Sequence, residues 1–169
     1  QSGGSNVANG RTDSDPWAAG SWGNYAVTFS NSNTLVFYKN GSAIQFDVIS
    51  DTGGSTPSNV TSHTFNTPIP AGARNCAYLF GGSFTSGNDD FGGEVFNLGF
   101  WNKALAADEI AVIAATSKLN LASNSGNYIS SSNLQFNPKF ATRDSSASYV
   151  VLPTTGLDAY AIAIGTTVP

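Results

Sequence analysis

The sequence contains very little of what catalysis, disulfide bonding, nucleic-acid binding or membrane insertion requires. Of its 169 residues one is histidine and one is cysteine, so an intrachain disulfide is excluded and a Ser-His-Asp triad has a single candidate base. Seven basic residues against eleven acidic ones argue against a polyanionic partner, which needs clustered Lys and Arg. No apolar run reaches the roughly 18 residues that a membrane-spanning helix needs.

Carboxylates that could carry hydrolysis are also few and scattered. The chain has two glutamates, Glu94 at the start of a predicted strand and Glu109 in a predicted helix. A glycoside hydrolase needs two carboxylates flanking the scissile bond, about 5–10 Å apart, and no strand carries a Glu-x-Asp-x-x-Glu pattern. A Gly-x-Ser-x-Gly nucleophile turn is missing as well. We therefore predict that the protein is not an enzyme.

Charge is scarce, and small polar residues take its place. Charged residues make up 11% of the chain, far below the usual share of about a quarter. Gly, Ser, Thr and Asn are abundant instead, as expected of an all-β protein with many turns. The chain has no methionine, even at position 1, and no signal peptide. We interpret it as a processed or excised piece of a longer precursor, and we expect an extracellular or particle-surface location.

Alternating apolar residues predict strands through most of the chain. Apolar side chains in Ile44–Val48 alternate with polar ones, which is the pattern of a half-buried strand. Asn40-Gly41 is a tight-turn signal between two strands, because both residues tolerate positive φ. Asp51–Pro70 is predicted to be a loop with at most a short strand near His63. Further strands are predicted at Trp22–Phe29, Leu35–Tyr38, Asn75–Phe80, Phe96–Phe100, Asn127–Phe136, Ser148–Leu152 and Ala159–Ile164.

One helix is predicted, shortly after the strand that ends at Phe100. Asn102-Lys103 breaks the strand alternation, and the run that follows is rich in alanine and has high helical propensity. Its apolar residues are Leu105, Ile110, Val112 and Ile113. The sequence therefore predicts an all-β fold with one short helix near residues 105–116.

Two blocks of residues occur in a recognisable order. The first consists of Trp22, Ala26, Val27, Thr28, Phe29, Leu35, Phe37, Tyr38, Asn40 and Gly41. The second consists of Gly93, Trp101, Asn102, Lys103, Ala104, Leu105, Asp108, Glu109 and Ile110. Together they resemble the laminin-G-like domains of the concanavalin A-like lectin and glucanase group. The resemblance implies an antiparallel β-sandwich of the jelly-roll type, and it identifies a fold family and not a function.

The order of the strands differs from that family. Residues 127–169 resemble the segment with which such domains usually begin, whereas residues 1–21 are mostly polar and are predicted to be an exposed lead-in or loop. We therefore predict one sandwich over residues 22–169, in which 127–169 closes either the same sandwich or that of a neighbouring subunit. Circular permutation, strand donation to a neighbour and a truncated second domain all remain open. Permutation is favoured, because closing a sandwich within one chain costs little extra loop entropy.

Three kinds of binding site are predicted. Trp17 lies in a polar segment, so its ring is predicted to be exposed and able to stack on a sugar. Asn40 and Asn59 begin acceptor triplets for N-linked glycan. A Gly-rich loop carries clustered oxygen ligands, which make calcium the plausible metal, as in the rim loops of the resembling domains. These ligands are Asn88, Asp89, Asp90 and Glu94.

Other conspicuous residues are assigned structural roles. Trp22 and Trp101 continue apolar strands and are predicted to lie in the core. Cys76, within an apolar run, is predicted to be a small buried residue. His63 has no second His or Cys nearby in the sequence and is predicted to be an exposed loop residue.

These features together favour a non-catalytic structural or adhesion protein outside the cell. We expect a protomer of a surface assembly, such as a filament, a fibre or a virion appendage, that can contact glycans. Its partners would be copies of itself, bound by strand exchange or by sheet-edge contacts. The alternative is a monomeric carbohydrate-binding module of a larger secreted protein.

Overall fold

The computed structural model describes residues 8–12, 20–66, 96–116, 118–140 and 151–153. Within these ranges every strand pairing is antiparallel and one α-helix is present, α1 (Ala107–Ala115). The predicted all-β class with one short helix is therefore confirmed for this part of the chain. The strands are β1 (Ala8–Arg11), β2 (Tyr25–Phe29), β3 (Thr34–Lys39), β4 (Ser42–Ile44), β5 (Asp47–Asp51), β6 (His63–Thr64), β7 (Phe100–Trp101), β8 (Leu134–Phe136), β9 (Pro138–Phe140) and β10 (Val151–Pro153).

Strand β3 is the centre of the largest described sheet. It pairs with β2 along one edge, and with β4 and β6 along the other. Successive side chains of a strand point to opposite faces, so Leu35 and Phe37 lie on one face and Val36 and Tyr38 on the other. Each face packs against its own hydrophobic cluster. The central strand β3 is therefore apolar on both faces and packs against a hydrophobic cluster on each.

The cluster on the Tyr38 face joins the sheet to the helix and to the loop that follows it. Burial of these apolar side chains is the main force that holds α1 in place, since a nine-residue helix is marginal in isolation. Its buried members are Tyr38, Leu105, Ile110, Leu119, Leu121 and Tyr128.

The cluster on the Leu35 face joins the sheet to β5 and β1. Phe46, Val48 and Phe65 are its buried members, and β5 pairs with β1. The backbone of β1 crosses this face closely, because a Cβ added at Gly10 would lie 2.8 Å from Leu35 Cδ2. Two layers of antiparallel strands therefore face each other across this cluster.

The hairpin between β3 and β4 turns at Asn40-Gly41, as the sequence predicts. Both residues have positive φ, 51° and 83°, which is the requirement of a two-residue hairpin turn. A Cβ added at Gly41 would lie 3.0 Å from Ala111 Cα and 3.2 Å from Ala114 Cβ. Glycine is therefore needed here both for the backbone conformation and for the close approach of α1.

We expect Gly41→Ala to lower the free energy of unfolding by about 2–3 kcal/mol, measured by urea denaturation. A left-handed backbone costs an L-residue about 1–2 kcal/mol, and contact with the helix adds to that cost. Gly20→Ala is the matched control, since Gly20 has φ of 77° and nothing within 4 Å of an added Cβ, so that only the backbone cost of about 1–2 kcal/mol is expected. Equal losses in the two variants would contradict the close packing of the hairpin on the helix.

The N-terminal part of the chain departs from the sequence predictions in two places. Residues 8–11 form β1, whereas the whole segment 1–21 is predicted to be a lead-in or loop; backbone pairing with β5 brings this polar stretch into a sheet. Strand β2 begins at Tyr25 and not at Trp22. The side chain of Trp22 is 68% exposed, so its predicted core position is wrong. Trp101, in contrast, packs against the Tyr38 cluster.

Several predicted strands are shorter than their apolar patterns. The strand predicted over Ile44–Val48 is divided between β4 and β5, with Phe46 forming an isolated bridge to Val60. Phe96 is 60% exposed and lies outside any strand, because pairing there is confined to β7. Within Asn127–Phe136 only the last three residues form a strand, after a short 3₁₀ turn.

The C-terminal strands pair within the chain where they are described. β8 pairs with β7, and β10 pairs with β9. Amide side chains reinforce the first pairing, since Asn133 Nδ2 donates to Asn102 Oδ1 and Asn137 Nδ2 donates to Leu98 O. The predicted strands Asn75–Phe80 and Ala159–Ile164 lie outside the described residues.

Among the described segments, no helix has the length and apolar character needed to cross a membrane.

Candidate functional site

Most of the predicted site residues lie outside the described residues. This is true of the predicted sugar-stacking Trp17, of Cys76, and of the whole predicted calcium set: Asn88, Asp89, Asp90 and Glu94. In the part of the chain that is described, no three His, Cys, Asp or Glu side chains come together in a way that could hold a metal ion.

The two predicted glycosylation residues are described, and both are exposed. Asn40 and Asn59 have positive φ, 51° and 56°, a conformation that asparagine tolerates better than most residues. The side chain of Asn40 also has a structural role, because its Oδ1 accepts a hydrogen bond from Asn24 N at 2.9 Å. The backbone N–H of Asn59 donates to Asp47 Oδ1.

An exposed aromatic surface lies next to the Asn40-Gly41 turn. We call it the aromatic corner and define it as Trp22, Gly23, Asn24, Tyr25 and Asn40. Asn40 N donates to Asn24 O at 2.8 Å, which together with the Asn40 side-chain contact joins the two segments. The turn itself rests on α1. The corner is therefore anchored to the central sheet and to the helix.

The tyrosine ring of the aromatic corner lies against the neighbouring glycine. A Cβ at Gly23 would lie 2.7 Å from both Cε2 and the hydroxyl oxygen of Tyr25, so the Tyr25 ring lies directly on the glycine backbone. Trp22, the preceding residue, projects its ring into solvent. Two aromatic rings thus flank one glycine, with the Asn24 and Asn40 amides next to them.

The aromatic corner carries almost no charge. Residues 20–26 and 38–44 contain one ionisable group with a formal charge at neutral pH, Lys39, which pairs with Tyr25 across the strands. Asn24 Oδ1 is buried and has no hydrogen-bond partner among the residues that the structure describes. Such an acceptor is uncommon in folded proteins. The corner is thus an apolar, amide-bordered surface suited to uncharged, hydroxyl-bearing molecules.

A second polar centre is formed by the carboxylate of Glu109 at the start of α1. Glu109 is 2% exposed; its Oε2 accepts from Ala106 N at 3.0 Å and its Oε1 from Ile129 N at 3.2 Å. Lys103 Nζ lies 3.8 Å from Oε2 and donates to Ser130 Oγ at 2.8 Å. One carboxylate therefore ties the first turn of the helix to the loop that returns from its end.

The surroundings of Glu109 favour its ionised form. Burial of the carboxylate raises the pKa of Glu109, but hydrogen bonds from Ser130, Ala106 and Ile129 and the charge of Lys103 outweigh it, so that the pKa lies below its ordinary value. A negative charge in the first turn of a helix is also stabilised by the helix dipole. Glu109 is therefore an ionised carboxylate with hydrogen bonds to both of its oxygens, which is typical of a structural role.

The returning loop is held by a buried tyrosine as well. Tyr128 is fully buried; its hydroxyl donates to Leu121 O at 2.7 Å and accepts from Trp101 Nε1 at 3.0 Å. Burial raises the pKa of the Tyr128 hydroxyl; the hydrogen bond from Trp101 lowers it by less, and the charge of Glu109 raises it again. The hydroxyl is therefore a protonated structural donor.

His63 is not the exposed loop residue that the sequence predicts. It lies in β6, and its half-buried Nε2 is 2.9 Å from Oδ2 of the buried Asp51. The other carboxylate oxygen of Asp51 accepts from Asn66 N at 3.0 Å. Asp51 itself is the end of β5 rather than the start of a loop. The pair connects β5 to β6 and to the residues that follow.

No protein-family model matches the chain, and neither a curated protein nor a solved structure is significantly similar to it. Sequence reasoning missed three features: the exposure of Trp22, the buried position of Glu109 and the contact of His63 with Asp51. Gly23-Asn24, which separates Trp22 from Tyr25, was a signal that the strand begins later. Glu109 carried no comparable signal, because its distant partner Ile129 is 20 residues away.

Proposed function

We propose that the protein is a non-catalytic extracellular protein of structural or adhesive function, a protomer of a surface assembly that also contacts glycans. Its proposed architecture is a concanavalin A-like jelly roll of the laminin-G-like type. The two antiparallel layers that face each other across the Leu35 cluster support this architecture. The filament, the fibre and the virion appendage are the assemblies to which such a protomer is suited.

The row of exposed apolar side chains along β2 is the observation on which the assembly proposal depends. Val27 is 59% exposed and Phe29 is 37% exposed. Both lie on the face of Leu35 and Phe37, their partners across the strands. β2 stands at the end of the described strand order of its sheet. The hydrophobic surface of the Leu35 cluster thus continues outward to the last described strand.

A second copy of this chain is the occupant that we propose for this strand. Sheet edges in monomeric proteins are usually protected by charged residues or proline, and the sequence of β2, Tyr25–Phe29, contains neither. Addition of a strand from another copy would extend the sheet and place apolar side chains beside Val27 and Phe29 on the same face. Exchange of the C-terminal segment and contact between sheet edges are both routes to this pairing.

We expect Val27→Lys to abolish self-association while leaving the fold intact, because a lysine at this position charges the apolar row. Sedimentation velocity of the wild-type protein should show species larger than the 17.5 kDa monomer that increase with concentration. Ile49→Lys is the matched control, since Ile49 is 46% exposed on β5, and it should assemble as the wild type does. A wild-type protein that stays monomeric at millimolar concentration would refute the assembly proposal.

A monomeric carbohydrate-binding module of a larger secreted protein is the second candidate, and the exposed Trp22 favours it. A monomeric wild-type protein that binds oligosaccharides would select this function over the first.

Calcium binding by the acidic loop remains a prediction of the sequence. A rise in Tm when calcium is added to chelator-treated protein, lost in Asp89→Asn, would support it.

A further inference from the structure

The aromatic corner combines the features of a small binding surface at a place that the sequence does not indicate. Trp22 presents its ring to solvent, and the Tyr25 ring lies against Gly23. The Asn24 and Asn40 segments are joined by two hydrogen bonds. The ring of Trp22 thus projects from a backbone that the sheet and helix hold in position.

The chemistry of the corner selects one class of ligand. The face of an indole ring attracts the C–H face of a pyranose, while neighbouring amides and a phenol can exchange hydrogen bonds with sugar hydroxyls. The buried Asn24 Oδ1 has no donor among the described residues, and a water held at this atom would satisfy it and pass a hydrogen bond on to a sugar hydroxyl. An acidic sugar is expected to bind more weakly, because Lys39 is the single cation in residues 20–26 and 38–44 and the net charge of the protein is −4.

We propose that the aromatic corner binds a neutral oligosaccharide, with one pyranose ring stacked on Trp22 and the Asn24 and Asn40 amides and the Tyr25 hydroxyl at its edge. This inference rests on the proposed contact with glycans and specifies where it occurs and with which sugars. It differs from the sequence prediction, which assigns sugar stacking to Trp17.

The test is a set of titrations that use defined neutral oligosaccharides as probes, namely mannotriose, cellotetraose and chitotriose, with sialyllactose as the acidic comparison. Binding is followed by indole N–H shifts in NMR spectra and by isothermal titration calorimetry. The wild type should bind at least one neutral probe in preference to sialyllactose. Trp22→Ala should weaken that binding by about tenfold or more, and Trp22→Phe should restore part of it.

Two further variants separate the site from general effects of mutation. Gly23→Ala displaces the Tyr25 ring and should also weaken binding, whereas Phe96→Ala removes another exposed ring, 60% accessible, and should have no effect. Binding by Trp22→Ala within twofold of wild type would overturn the assignment while leaving glycan contact at another place intact. The absence of binding to any neutral probe would overturn it too, and self-association of the same sample would show that the assembly proposal still stands.

Discussion

Glu109→Gln is expected to lower the free energy of unfolding by about 2–4 kcal/mol, since charge-assisted hydrogen bonds are lost from a buried site. The two carboxylate oxygens accept from two different backbone donors, Ala106 N and Ile129 N. Glutamine offers one oxygen and one NH₂ group, so that one backbone N–H would face another donor. Lys103 would also lose its counter-charge. Urea denaturation at pH 7 measures the difference.

Asp108→Asn is the matched control for this substitution. Asp108 is the neighbouring acidic residue in the same helical turn, it is exposed, and its Oδ1 accepts from Glu109 N. Both substitutions remove one negative charge, but the Asp108 carboxylate is in contact with solvent. The free energy of unfolding is therefore expected to fall by about 1 kcal/mol or less. Similar losses for the two variants would contradict the special role of the buried carboxylate.

The contribution of Glu109 should also depend on pH in a defined direction. The pKa of Glu109 in the folded protein lies below its usual value of 4.5. The stabilisation is therefore present above about pH 4.5 and is lost as the pH falls through the folded-state pKa. The stability difference between the wild type and Glu109→Gln should accordingly shrink in acid. A difference that stays constant from pH 7 to pH 3 would be inconsistent with this ionisation.

Tyr128→Ala is expected to lower the free energy of unfolding by about 3–5 kcal/mol, the range for removal of a large ring from a core. Tyr128 is fully buried in the Tyr38 cluster, and its ring lies edge-on to Trp101, with centroids 6.4 Å apart. Because small domains are stable by about 5–15 kcal/mol, this loss would remove much of the total. Unfolding can be followed by urea titration with tryptophan fluorescence as the signal.

Tyr128→Phe separates the hydroxyl from the ring. It leaves Leu121 O and Trp101 Nε1 without their partner, so that a loss of about 1–3 kcal/mol is expected. Ile129→Ala is the control, since Ile129 is adjacent and 64% exposed, and its effect should stay within about 0.5 kcal/mol. If Tyr128→Phe were as stable as the wild type, the hydroxyl could not be what anchors the loop.

The elements that sequence analysis predicts correctly are those determined by nearby residues. β3 has an apolar, β-branched and aromatic run of its own, and the Asn40-Gly41 turn is specified by two residues that accept positive φ. Helix α1 follows from helical propensity and from the apolar residues on one side of an alanine-rich segment. The local sequence is therefore sufficient to predict these features, although α1 depends on packing against the Tyr38 cluster for its stability.

The incorrect predictions concern residues whose environment depends on distant parts of the chain. Trp22 is a large aromatic residue of the kind usually found in a core. Its exposure depends on where the pairing of β2 with β3 begins, because Trp22 precedes the first paired residue. His63 is isolated in the sequence, and its contact with Asp51 is made across 12 positions. The periodicity of apolar residues predicts on which face of a strand or helix a side chain lies. It does not predict which distant residue that side chain contacts.

The sequence by itself therefore determined the antiparallel all-β class, the position of the helix and the hairpin turn, because each of these follows from contacts between neighbours along the chain. Only the tertiary structure decided that Glu109 and Tyr128 anchor the returning loop and that Trp22 stands at an exposed corner. Ile129, which donates to Glu109, is 20 residues away from it, and Trp101, which donates to Tyr128, is 27 residues away. The corner at Trp22 is formed where two strands meet the helix. Such proximity is a product of packing, and no local pattern encodes it.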